Sequence, residues 1–133
     1  MNKTLKEIYN YDFIEKPETT LLKDINRILN KTPDELDVHD VCILIRQEMF
    51  IDISVPRAVK MIDDNPSAGD NYDYCLLFNL AHMESSLSEF KEIIVSLINN
   101  LESKLNTIEF DLDSDKDDYC ESIVLLKEKI NIA

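Results

Sequence analysis

The chain has 133 residues, 44% apolar and 31% charged, with 14 basic against 27 acidic groups and a net charge of −13. That is enough chain for one soluble domain that closes a core without metals or disulfides. Its acidity argues against nucleic acid or an anionic membrane surface as partner and favours a basic one. Gly69 is the single glycine, where an average usage of ~7% gives about nine. A Walker loop, a dinucleotide fingerprint and a nucleophile elbow all need more, and hairpin-rich folds lean on glycine for positive φ.

In chain order, Lys3 to Tyr9 has the pattern of a short helix, closed before an irregular stretch to Pro17. Leu21, Leu22, Ile25, Ile28 and Leu29 recur at helical spacing. Thr32-Pro33-Asp34-Glu35 is a capping box with proline at the first helical position, opening one turn that ends near Asp37. Asp37 caps the next helix, with Val41, Leu44, Ile45 and Met49 inward. Phe50 to Val55 alternates like a strand but has no partner strand, so it reads as an apolar connection, and Val55-Pro56 opens a fourth helix stopped at Asn65-Pro66.

Residues 65–71 form the most loop-like stretch. Tyr74, Leu76, Leu77, Leu80 and Ala81 then read as a buried helix. Phe90, Ile94, Leu97, Leu101, Leu105 and Ile108 repeat in heptad-like steps over about five turns. Tyr119, Ile123, Leu126 and Ile130 mark a terminal helix capped at Ser114 or Asp115. The expected fold is all-α, a single domain over 1–133 of about six helices, with 84–133 supplying two C-terminal helices and an acidic connector. The longest apolar run, Ile93 to Ile98, is far short of the ~20 residues of a membrane span. The opening MNKTLKEIYN lacks a signal peptide's apolar stretch.

Few residues offer chemistry. Cys42, Cys75 and Cys120 form no close pair, which fits a reducing compartment better than a disulfide framework. His82 follows Cys75 by seven residues, a spacing that does not force a nucleophile–base contact, and the two imidazoles and three thiols form no ligand cluster for zinc. No catalytic group, cofactor or metal is expected. From Glu109 to Glu121 the chain carries seven acids and one lysine, and its alternating aspartates resemble the start of a calcium loop. Counted from Asp111, the sixth and twelfth positions are Lys116 and Ser122; counted from Asp113 they are Asp118 and Val124. Neither register supplies the glycine and bidentate glutamate such a loop requires. The run fits either a solvated loop with acids at a helix N-terminus or a docking surface for cationic groups flanked by Phe110 and Tyr119.

Between Leu5 and Leu80 the order of local patterns is distinctive. Leu36-Asp37-Val38-His39-Asp40-Val41-Cys42-Ile43-Leu44-Ile45-Arg46-Gln47 precedes Ile53-Ser54-Val55-Pro56-Arg57-Ala58-Val59, then Asp64-Asn65-Pro66, Gly69-Asp70-Asn71-Tyr72-Asp73 and Leu76-Leu77. In this order and spacing the chain resembles the small immunity proteins of bacterial contact-dependent growth inhibition systems, with residues 1–83 as the family-like part. Asn65 stands before Pro66 where that pattern has aspartate, and Glu48 follows Gln47 where it has glycine.

The resemblance implies a non-catalytic protein that binds and neutralises the toxin domain of a delivered effector. Its matching residues look structural and are not carried over as contacts. A basic, cytosol-acting nuclease is the toxin most consistent with an acidic cytoplasmic inhibitor that has no membrane span. The toxin contact is expected on Asp111, Asp113, Asp115, Asp117, Asp118 and Tyr119, with Asp70, Tyr72, Asp73 and Tyr74 as a second patch. The alternatives are a small enzyme centred on Cys75 and His82, or an acidic adaptor unrelated to toxins.

Overall fold

The computed structural model describes residues 3–70 and 73–130, and among them the regular structure is helical throughout. Seven α-helices follow one another: α1 (Leu5–Tyr9), α2 (Thr20–Leu29), α3 (Val38–Gln47), α4 (Ile51–Asp64), α5 (Cys75–Ala81), α6 (Lys91–Lys104) and α7 (Asp113–Lys129). The all-α expectation holds. None of these helices is long and apolar enough to cross a membrane.

Local capping sets several of these boundaries. Thr4 and Glu7 form a reciprocal box at α1, Thr32 and Glu35 form one at the 3₁₀ turn Pro33–Glu35, and Asp37 and Asp40 form one at α3. At each box a side chain satisfies a backbone N–H that the helix leaves unbonded. Helix α3 is the centre. Its residues Asp40 to Ile45 are all buried, and it packs against α4 on one side and α5 on another. Helix α5, with Leu76, Leu77, Leu80 and Ala81 inaccessible, also touches α4 and α7; α6 closes the layer against α4 and α7.

Two segments differ from the expectation. Phe50 to Val55 is not a connection: α4 begins at Ile51, and Pro56 lies inside the helix. Ser54, Val55, Ala58, Val59 and Ile62 are buried at helical spacing, and alternation over so few residues does not separate the two periods. The proline removes one bond to the carbonyl of Asp52, an exposed residue in the first turn, where the loss is mild. The stripe after Phe90 is shorter than five turns, because α6 stops at Lys104 and a 3₁₀ turn, Leu105–Thr107, turns the chain. Similarly, α7 starts at Asp113 behind Leu112, which gives no side-chain cap, rather than at Ser114 or Asp115.

The α3–α4 connection spans only residues 48–50, and Glu48 and Phe50 both take left-handed backbone, each at φ 52°. Glu48 occupies the position after α3 where glycine is the easy residue. Its carboxylate explains its presence: it accepts hydrogen bonds from the backbone N–H groups of Glu84 (3.2 Å) and Ser85 (2.7 Å), tethering the α5–α6 connection. Hydrogen bonding by Ser85 first, side chain and backbone, with the Glu84 N–H adding to it, holds the Glu48 carboxyl below its usual pKa.

Candidate functional site

The two acidic stretches singled out in the sequence lie side by side, and three aromatic rings join them. Tyr74 caps α5 with left-handed backbone at φ 74°. Its ring centroid lies 5.1 Å from that of Phe110 and 5.4 Å from that of Tyr119, and Phe110 and Tyr119 are 5.4 Å apart edge to face. The Tyr74 hydroxyl donates to the Glu109 carbonyl at 2.9 Å, and the Tyr119 hydroxyl reaches the Pro66 carbonyl at 3.4 Å. These contacts seat the start of α7 on the loop that precedes α5.

Tyr119 therefore lies in the core. Only 2% of it is exposed, and burial pushes its phenol pKa far up. The sequence expectation that it stands as a surface anchor is corrected by this position, which one face of α7 reaches because Ile123 and Leu126 share it.

Asp70 is corrected too. Its side chain is 5% exposed and bound on both oxygens by Arg46, each bond 3.1 Å long. His39 Nδ1 lies 3.1 Å from the same carboxylate. The Asp70 N–H donates to Cys75 Sγ at 3.1 Å, and the Cys75 thiol donates to Asp70 Oδ1 at 3.2 Å. This aspartate ties α3 to the start of α5. Tyr72 lies outside the described residues.

The remaining acids face water. Asp73, Asp111, Asp113, Asp117 and Asp118 are exposed and Asp115 is half-buried, and none of the six has an ion-pair partner among the described residues. They do not form one uniform patch. Asp115, Asp118 and Ser122, spaced three and four apart, share a face of α7 that looks towards Tyr74 and Phe78 on α5. Together with Asp73 they line a cleft of about 230 Å³. Asp111, Asp113 and Asp117 lie outside that lining.

Two lining residues were missed in the sequence. Phe78, 40% exposed, falls on the opposite face of α5 from its buried leucines. Tyr74, Phe78 and His82 recur at steps of four, a stripe visible in the sequence but overshadowed by the leucines. Ser122 is only 3% exposed, lines the cleft, and has no hydrogen-bond partner among the described residues. Its hydrophilic type gave no sign of that burial.

Cys75 and His82 do not meet as nucleophile and base. His82 Nδ1 is 2.8 Å from the Phe78 carbonyl and its ring stacks on Phe78 with centroids 4.0 Å apart, whereas Cys75 is bonded to Asp70. The sulfurs of Cys42 and Cys75 and a carboxylate oxygen of Asp70 lie within 4.8 Å of one another, a grouping the spacing of Cys42 and Cys75 did not announce. It suits a cation poorly. Arg46 already holds both oxygens of Asp70, and burial first, with Cys75 and Asp70 adding to it, pushes the Cys42 thiol far up towards its neutral form.

Comparison with curated proteins finds no match. A family model described as CDI immunity proteins matches residues 7–97, from within α1 to the middle of α6. That stretch contains the buried α3–α4–α5 centre, the Asp70 linkage and the α5 side of the cleft, and over it the chain belongs to the family of CDI immunity proteins.

Proposed function

We propose that this immunity protein neutralises its toxin by binding the toxin domain through the acidic face formed by α7 and the start of α5, and that the toxin is a basic nuclease acting in the cytosol. The toxin-neutralising role follows from the family. The observation that carries the location is the set of six aspartates without ion-pair partners among the described residues, on adjoining elements, in a chain of net charge −13. Asp40 and Asp70, by contrast, are enclosed and paired within the fold, whereas these six are free to meet cations. A nuclease presents cationic groups where it holds nucleic acid, and an acidic surface competes for them without being cleaved. The role asks no catalysis of this chain, only affinity and speed of encounter.

The test is co-expression with the toxin domain of its cognate effector. Growth restored by this chain, together with co-elution of the two purified proteins, supports the reading. Toxicity that persists at equal expression overturns it. Degraded DNA or RNA in unprotected cells supports the nuclease assignment, and growth arrest with both intact removes it.

A further inference from the structure

We infer that the cleft between α5 and α7 is a socket for one arginine side chain of the toxin, an inference that rests on the proposed function and gives its acidic face a centre. Its polar lining consists of acceptors. Among the described residues, Asp73, Asp115 and Asp118 are carboxylates without ion-pair partners, and no lysine or arginine lines the space. Ser122, 97% buried as a residue and without a hydrogen-bond partner among the described residues, lines the same cleft. Its oxygen is not sealed from solvent, so it adds one more acceptor that a donor entering the cleft can take over from water. The apolar lining is aromatic, Tyr74 and Phe78.

This combination selects among cations. The three carboxylates do not converge within 4.8 Å as a metal-binding group would. A calcium ion needs its oxygens at ~2.3–2.6 Å from one centre, so a bare ion is the poorer fit. A lysine ammonium is a compact point charge with three donors. A guanidinium is planar, carries five donors spread around its edge, loses less hydration on entry and stacks on aromatic faces. Separated acceptors around ring surfaces match it. Desolvated arginine in a pocket beside aromatics is also what dominates protein interfaces energetically, while exposed charges around it chiefly set the encounter rate.

The experiment compares two triple variants that remove equal charge. One is Asp73→Asn, Asp115→Asn, Asp118→Asn in the cleft; the other is Asp111→Asn, Asp113→Asn, Asp117→Asn outside it. Affinity for the purified toxin domain is measured at low and high salt, after circular dichroism shows wild-type helix content. Phe78→Ala, at an exposed position, serves as a variant that leaves charge untouched. The expected result is a loss of about 30-fold or more for the cleft triple, retained at high salt, with Phe78→Ala weaker than wild type by about tenfold. One toxin Arg→Lys substitution should give the same loss and add little when combined with the cleft triple.

Equal losses for both triples that vanish at high salt overturn the socket and leave the acidic face standing. No loss for either triple, with wild-type binding intact, overturns the socket and the location but not the immunity role. Failure of the wild-type chain to bind toxin overturns both.

Discussion

Two groups of aspartates divide the molecule. Asp40 and Asp70 are enclosed and paired: Asp40 is fully buried between Arg27 (2.7 Å) and Lys31 (2.6 Å), and Asp70 is held by Arg46 and His39. Asp73, Asp115 and Asp118, with Asp111, Asp113 and Asp117 beyond them, have no ion-pair partners among the described residues and face water. Asp70 and Asp73 are three residues apart and belong to opposite groups. The basic residues explain the division: residues 1–66 carry nine lysines and arginines against thirteen acids, and residues 67–133 five against fourteen. The first half has cations to neutralise carboxylates that the core encloses, whereas in the second half carboxylates outnumber the cations that could pair with them nearly threefold.

The contrast is broken most directly at Asp70. Asp70→Ala removes a bidentate partner from Arg46 and should destabilise the fold by about 3 kcal/mol, the lower end for a broken buried pair because Arg46 keeps about a third of its exposure. Urea denaturation measures it, and toxin affinity of the folded fraction should stay near wild type.

Asp40→Asn should cost about 2 kcal/mol, since two charged hydrogen bonds are lost while Arg27 and Lys31 stay partly hydrated. Burial alone would raise the Asp40 pKa, but the hydrogen bonds from Lys31, Arg27 and the Asp37 N–H reverse this and hold it below the usual value. A carboxyl depressed in the folded state stabilises above its unfolded pKa of ~3.9 and loses that contribution as pH falls through its folded value. Urea midpoints between about pH 5 and 2 should therefore fall more steeply for wild type than for Asp40→Asn, the two curves converging at the acid end.

Glu48 belongs with the paired group and gives a smaller effect. Glu48→Ala loses two bonds to the α5–α6 connection and keeps the left-handed backbone, for a loss of about 1–2 kcal/mol. Glu48→Gly loses the same bonds but relieves the backbone by about 1 kcal/mol, so thermal melting should place it between the alanine variant and wild type.

The smallest stability change belongs to the exposed set. Asp111→Asn, Asp113→Asn, Asp117→Asn should shift stability by no more than about 0.5 kcal/mol, lost attraction to the α7 N-terminus offsetting relieved repulsion. Its association rate with toxin should fall several-fold at low salt and approach wild type as screening grows, measured by stopped flow.

What residues near in sequence decide was legible. The capping boxes at Thr32 and Asp37, the amphipathic spacing of α2 and the buried leucines of α5 depend on neighbours three or four positions away, and the scarcity of glycine already disfavoured hairpins. The acidic excess and its drift towards the second half were also plain. Only the tertiary structure decided which carboxylates are available. Asp70 is enclosed because Arg46 lies 24 positions earlier in the chain, and Tyr119 is core because Tyr74 and Pro66, 45 and 53 positions away, close over it. Phe78 and Ser122 become one cleft only when α5 packs on α7. Charge and hydropathy belong to a residue, but burial and pairing belong to the contacts it makes, and here those contacts join segments that the sequence holds far apart.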